Sequence, residues 1–181
     1  MGGWAEPGRH LVRLQDVTVV TDDPAPEGLG QEAFREVYAA HYPALVRLAY
    51  LTTGSLAAAE DVTQEAFIEW LRRGDQVREP LPFLRRAVVS RCTSWVRRRR
   101  LERRHATVSP EPVVRHPDGD TEVVRAALQK LTPRQRAAVF MRFYLDLPEA
   151  QIAAALGCRP GTVKSLLHRA LTAIKEDLDV V

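Results

Sequence analysis

Cysteine is scarce in this chain. Of 181 residues only Cys92 and Cys158 are cysteines, far apart, with no CxxC spacing and no histidine cluster beside either. That excludes a zinc finger and a disulfide-stapled scaffold, and it fits a reducing cytoplasm. No apolar run approaches the roughly 20 residues of a membrane-spanning helix, so no membrane insertion is expected. The first residues, MGGWAEPGRH, lack the apolar stretch of a secretion signal, and Glu6 stands where N-myristoylation wants Ser or Thr. The histidines (His10, His41, His105, His116 and His168) are scattered, and neither a glycine-rich phosphate loop nor a metal-ligand spacing occurs. The carboxylate pair Asp61 and Glu65 has no histidine nearby to share acid–base work. The expectation is a cytoplasmic protein that is not an enzyme and carries no metal or cofactor.

What is present is helical. A hydrophobic content of 45% suffices for packed cores, and the net charge of +3 matters less than its distribution. Residues 1–30 mix glycine, proline and acids around one apolar piece, VRLQDVTVV, and are expected to form a weakly ordered tail. From Gln31 to Leu51, Phe34, Val37, Tyr38, Tyr42, Leu45, Leu48 and Ala49 recur at helical spacing, with Pro43 expected to kink or split the helix. Ser55 can cap a second helix over 56–73, which would bury Val62, Ala66, Phe67, Trp70 and Leu71. Its outer side carries Asp61, Glu65 and Glu69 at i, i+4 and i+8. That stripe reads equally as a solvated face or as a docking face for a basic partner. RRGDQVREPLP reads as a loop.

A third helix is expected from Pro82 to about Arg104, with Phe83, Leu84, Ala87, Val88, Cys92, Trp95 and Val96 inward. Between 85 and 104 it holds nine arginines (85, 86, 91, 97–100, 103 and 104) against one acid, Glu102. Repulsion of that density has no evident internal compensation, and a polyanion would supply it. Residues 105–121, with three prolines and no periodicity, read as a flexible linker. A last unit, 122–178, opens on a helical pattern through Val123, Val124, Ala127 and Leu128. Thr132, Pro133 and Gln135 then form a capping box with proline in the first turn, ahead of a helix with Ala138, Val139, Met141 and Phe143 available for burial.

The stretch Leu147–Lys175 completes it. Ile152, Ala155 and Leu156 turn inward on a short helix that Gly157 can close in the left-handed conformation, and Pro160 opens the next. That helix places Val163, Leu167, Ala170, Leu171 and Ile174 on one face and Lys164, Ser165, His168 and Arg169 on the other. Two short helices joined through a glycine-containing turn, the second with a polar and basic face, make a helix-turn-helix. The fold class expected is all-α: two small helical domains, 31–104 and 122–178, joined by a flexible linker.

In this order the chain resembles bacterial RNA polymerase sigma factors of the extracytoplasmic-function type, in the sigma-70 family. AAAEDVTQEAFIEWLRR resembles that family's region 2.2, and PFLRRAVVSRCTSWVRRRR resembles regions 2.3 and 2.4. The SW followed by an arginine run is similar to an actinobacterial SigE-type subgroup. LTPRQRAAVFMRFYLDLPEAQIAAALGCRPGTVKSLLHRAL resembles region 4 nearly end to end. The resemblance covers roughly 31–178.

It implies a promoter-specificity subunit that binds core RNA polymerase, recognises −10 and −35 elements and starts DNA melting. The partners implied are the clamp helices of the largest polymerase subunit, the flap of the second-largest, promoter DNA and, as a further candidate, an anti-sigma factor. Asp61, Gln64 and Glu65 become the polymerase-binding candidates. Arg86, Ser90, Ser94, Trp95, Arg97, Arg98, Arg99 and Arg100 become the −10 candidates, with the 72–82 loop helping to hold a flipped base. Relatives often carry Asn at the first of Ser90 and Ser94 and Asn or Asp at the second, and serine cannot make an amide's bidentate contact. The −35 candidates are Arg159, Thr162, Lys164, Ser165, His168 and Arg169, with Arg159 standing where a capping serine is usual. The alternative is a free-standing helix-turn-helix regulator that binds paired half-sites as a dimer. A third reading, an RNA-binding or structural helical protein, lacks an evident aromatic stacking platform.

Overall fold

The computed structural model describes residues 30–105 and 126–178. The expected tail before Gly30, the linker over 106–121 and the helical start at 122–125 lie outside them. Helix α1 spans Gln31–Thr53, α2 Leu56–Arg73 and α3 Pro80–His105. A helical stretch over 126–130 is α4, followed by α5 (Pro133–Phe143), α6 (Glu149–Leu156) and α7 (Pro160–Leu178). There is no strand among the described residues, and no helix among them is long and apolar enough to cross a membrane.

Each boundary has a local cause. Ser55 Oγ accepts from the Ala58 amide and starts α2. At α5 the Thr132 side chain accepts from Gln135 N while Gln135 Oε1 accepts from Thr132 N at 2.9 Å, the reciprocal capping box. Pro43 does not split α1, which runs through it unbroken with Pro43 on the exposed side. The expected loop over 72–82 is also shorter. α2 continues to Arg73, a 3-10 turn takes Gly74–Gln76, and α3 already begins at Pro80. Proline suits that first turn because its missing N–H would have had no partner there.

α1, α2 and α3 form one bundle. Leu45 and Ala49 meet Val62, Ala66, Phe67 and Trp70 of α2 and Leu84, Ala87, Val88 and Cys92 of α3. Aromatic rings close its α1–α2 side: Phe34 stacks on Trp70 with centroids 5.4 Å apart, and Tyr38 meets Phe67 edge-on at 4.9 Å. Burial, reinforced by Tyr42, raises the Tyr38 phenol to about 12. Leu71, expected inside, is 37% exposed on the far side of α2. Trp95 and Val96 are only half-buried.

The second core gathers Ala137, Ala138, Phe140 and Met141 of α5, Ile152 and Leu156 of α6, and Val163, Leu166 and Leu167 of α7. Leu166 joins it although the helical pattern had singled out Leu171, which lies exposed. Phe143 is likewise outside, 62% exposed at the end of α5. This core does not stop at the boundary of its own lobe. Leu48 of α1 and Val89 of α3 are buried in the same cluster, and α1 packs on α5 as α3 packs on α6.

Two measurements follow from this packing. Burial pushes the Cys92 thiol up to about 12, whereas Cys158 is only partly covered. A thiol-reactive probe at neutral pH should label Cys158 in the native protein and Cys92 only with unfolding. Thr132→Ala should lower unfolding free energy by about 1 kcal/mol in urea titrations, through loss of the capping box.

Candidate nucleic-acid interface

The helix-turn-helix is built by its turn. Gly157 takes φ 61°, its N–H reaches the Ala154 carbonyl at 3.3 Å, and the Cys158 N–H reaches Ala153 at 3.0 Å. This paired pattern closes α6 and turns the chain toward α7. Arg159 needs no capping side chain of its own to begin α7. Its carbonyl accepts from Thr162 N at 2.9 Å and Val163 N at 3.4 Å, which leaves the guanidinium exposed on the turn.

On α7, Lys164, Ser165, His168 and Arg169 stand exposed along one outward stripe, opposite the buried Val163, Leu167 and Ala170. The stripe is ordered by its own backbone. Ser165 Oγ donates to the Gly161 carbonyl at 3.1 Å, and Arg169 Nε donates to the Ser165 carbonyl at 3.1 Å. Lys164 Nζ lies 3.9 Å from Glu149 Oε2, an exposed pair that water screens. Arg159 and Thr162 complete one basic surface, so the six −35 candidates come together.

The −10 candidates divide. Arg86, Ser90, Ser94 and Arg97 share one face of α3 and line a cleft of about 270 Å³ with Thr93. Its opposite wall is Arg134 of α5 and Leu156–Gly157 at the end of α6. Arg98 and Arg99 do not extend that face, because they point about 100° and 200° around the helix from Arg97, while Arg100, one turn beyond Arg97 on nearly the same side, lies past the end of the cleft. Arg98 and Arg100 are exposed, while Arg99 is half-covered and lies 3.7 Å from Glu102. Trp95 is half-buried and is not among the cleft residues.

Asp61, Gln64 and Glu65 are exposed together on α2. Glu65 has a second engagement, accepting from Arg91 Nε at 3.2 Å, and Arg91 Nη2 also donates to Glu69 at 2.6 Å. Glu69 further accepts from Arg73 at 2.6 Å. The arginines of α3 are therefore compensated from within at Arg91, against the expectation from sequence. The Arg91 hydrogen bond is the main reason the Glu69 carboxyl is held below its ordinary range, with Arg73 assisting against partial burial. Arg134 and Thr93 were not anticipated. Position 93 follows the face of 86, 90 and 97 by spacing, but nothing in the sequence links position 134 to it.

Family models match both halves of the chain: "Sigma-70 region 2" over residues 37–102 and "Sigma-70, region 4" over 121–174. The RNA polymerase sigma-E factor of Streptomyces avermitilis is 32% identical over 152 residues, covering 81% of this chain and 85% of that protein. The chain belongs to the sigma-70 family of RNA polymerase sigma factors. The extracytoplasmic-function sigma factor SigE of Mycolicibacterium smegmatis is 31% identical, over 93% of this sigma factor and 74% of its own length. Among solved structures, the Bartonella quintana sigma factor RpoE, crystallised with the anti-sigma factor NepR, superposes with a TM-score of 0.71 at 26% identity. The match covers 82% of this chain and 98% of that one. A free-standing helix-turn-helix regulator would account for the region 4 half alone and leave the region 2 half of this sigma factor without a cause.

The ion-pair relay yields a pH test. A carboxyl with a lowered folded-state pKa stabilises the fold above its ordinary value near 4.5, and that contribution is lost as pH falls through the lowered value. In urea titrations wild type should exceed Glu69→Gln in stability at pH 7. The gap should shrink steadily below about pH 4.5.

Proposed function

We propose that this sigma factor docks on core RNA polymerase through the α2 surface of Asp61, Gln64 and Glu65 and reads promoters with two faces. In this reading α7 enters the major groove of the −35 element, where Lys164, His168 and Arg169 meet base edges and Arg159, Thr162 and Ser165 meet phosphates. The α3 face of Arg86, Ser90, Ser94 and Arg97 takes the −10 element, with Trp95 at its border. Arg98 and Arg99 hold the phosphate backbone from other sides of the helix, and Arg100 holds it one turn beyond Arg97. The observation that carries the reading is the pairing, in one chain, of an exposed carboxylate surface on α2 with two separate cationic helix faces.

The clamp helices of the largest polymerase subunit are the counterpart proposed for α2, and the flap of the second-largest for the helix-turn-helix lobe. The likeness to a sigma factor solved with an anti-sigma factor supports a regulator of that kind as a further partner. The chain acts where polymerase acts, in the cytoplasm, and no catalytic step, metal or cofactor is assigned to it. Ser90 and Ser94 offer single hydroxyl contacts, so base preference on α3 rests on shape and the flipped base more than on bidentate pairing.

The experiment is transcription in vitro with core polymerase over a library of genomic fragments. Promoter-specific initiation is expected, and its complete absence would overturn the reading. On a promoter so found, Lys164→Ala and Arg169→Ala should each weaken recognition by about 1–3 kcal/mol if they touch base edges. Equal loss on all −35 sequences would make them phosphate contacts instead.

A further inference from the structure

The cleft beside α3 collects positive charge that promoter reading does not account for. Arg86 and Arg97 line it from α3 and Arg134 from α5, and no carboxylate is among its lining residues. Other arginines of α3 are matched with acids: Arg91 with Glu65 and Glu69, and Arg99 with Glu102. Arg86 and Arg97 form no hydrogen bond or ion pair among the described residues. Arg134 is positioned by its Nη2, which donates to the Leu156 carbonyl at 2.9 Å, and the rest of its guanidinium fork has no partner among the described residues. Three uncompensated guanidiniums around one concavity repel one another, and an anion seated among them turns that repulsion into attraction. The proposed −10 face lies on α3 alone, so reading DNA gives no reason for a third cation on α5.

The spacing selects the ligand. Arg86 and Arg97 are eleven residues apart, about 16 Å of rise along the helix. A lone phosphate meets one end of that row, whereas a chain of phosphates meets both, with the long side chains leaning in. Between the two arginines, Ser90 and Ser94 present hydroxyls free to donate to phosphate oxygens, while Thr93 already donates to the Val89 carbonyl at 2.9 Å. The cleft volume of about 270 Å³ lies just under the roughly 300–1,000 Å³ of small-molecule pockets, so it holds a short phosphate chain without a nucleoside beside it. Guanidinium suits this ligand because its planar fork matches two phosphate oxygens at once. We propose that the cleft binds an oligophosphate, lying along α3 from Arg86 to Arg97 and met by Arg134 from α5. The ligand is a free inorganic chain or the phosphate end of a nucleotide whose nucleoside stays outside. Arg86 and Arg97 are also cations of the proposed −10 face, so a bound oligophosphate and the −10 strand exclude each other at those side chains. That consequence rests on the −10 reading, and the binding itself does not.

Calorimetric titration of the full-length protein with sodium tripolyphosphate, at fixed ionic strength, should show saturable binding at a single site. Monophosphate should bind about tenfold more weakly, having lost contact with one end of the row. Arg134→Gln keeps an amide able to donate to the Leu156 carbonyl, and at unchanged helix content it should weaken tripolyphosphate binding about tenfold. That is about 1.4 kcal/mol, near the lower end of the range for one charged hydrogen bond. Arg86→Ala, at an exposed position, should weaken it as much and carries the comparison if Arg134→Gln disturbs the fold. Arg35→Ala, exposed on α1, should leave binding unchanged. No saturable binding, or equal losses in the cleft variants and Arg35→Ala, overturns the site. Adenosine and guanosine triphosphates identify the source: affinities equal to that of tripolyphosphate support a free chain, and tighter binding of either assigns the ligand to a nucleotide. Competition with a labelled random 20-nucleotide single strand, read by anisotropy, separates the site from the −10 reading. Wild type and Arg134→Gln should hold the strand equally, and tripolyphosphate should displace it from wild type at about tenfold lower concentration. Equal displacement from both overturns the exclusion. A strand that wild type does not bind removes the −10 reading of α3, while the calorimetry still decides the oligophosphate site.

Discussion

Helix α3 must bury two sides at once, and most of the architecture depends on how it does so. Leu84, Val88 and Cys92 face the first bundle, while Val89, one position and about 100° around the helix, enters the core of the second lobe. Leu48 of α1 supports the same contact from the neighbouring helix. With two sides taken, the arginines of α3 are distributed over what remains. Arg91 meets the carboxylates of α2, Arg86 and Arg97 border the cleft, and Arg98 and Arg100 point to solvent. A helix crowded with like charge is tolerable here because part of its charge is neutralised on α2 and much of the rest reaches water.

The same geometry sets what the acidic surface of α2 can offer. Glu69 is drawn into the protein's own ion pairs with Arg91 and Arg73, and Glu65 is shared between Arg91 and solvent. Asp61 and Gln64 stand clear of that relay on the exposed side. A stripe that looks uniform at i, i+4 and i+8 is thus graded, structural at one end and open at the other. Docking through the open end would leave the α2–α3 link intact, so partner binding and bundle stability need not compete for the same side chains.

How much of this was legible beforehand differs by type of feature. Local signals were nearly complete: Ser55, the Thr132–Gln135 box, Gly157 and Pro160 each sit where their chemistry places a helix end. Those devices involve neighbours within a few residues, so the order of residues contains them. Periodicity also found most of both cores, and it erred at positions whose burial depends on a distant partner. Leu71 and Leu171 have apolar side chains at the right spacing but lie exposed, with no helix opposite them among the described residues. Leu166 is covered, and Phe143 is left at the surface because α5 ends there.

The sequence by itself determined seven helical segments among the described residues, their caps, the helix-turn-helix and the family to which they belong, because each is set by local chemistry or by motif. Tertiary structure alone decided that the two lobes share a core, that Arg134 faces Arg86 and Arg97 across a cleft, and that Arg136 reaches the Thr52 carbonyl. These pairs are separated by tens of residues, and a guanidinium that caps another lobe's helix is indistinguishable in sequence from one that meets water. Only the path of the chain through space brings such groups together.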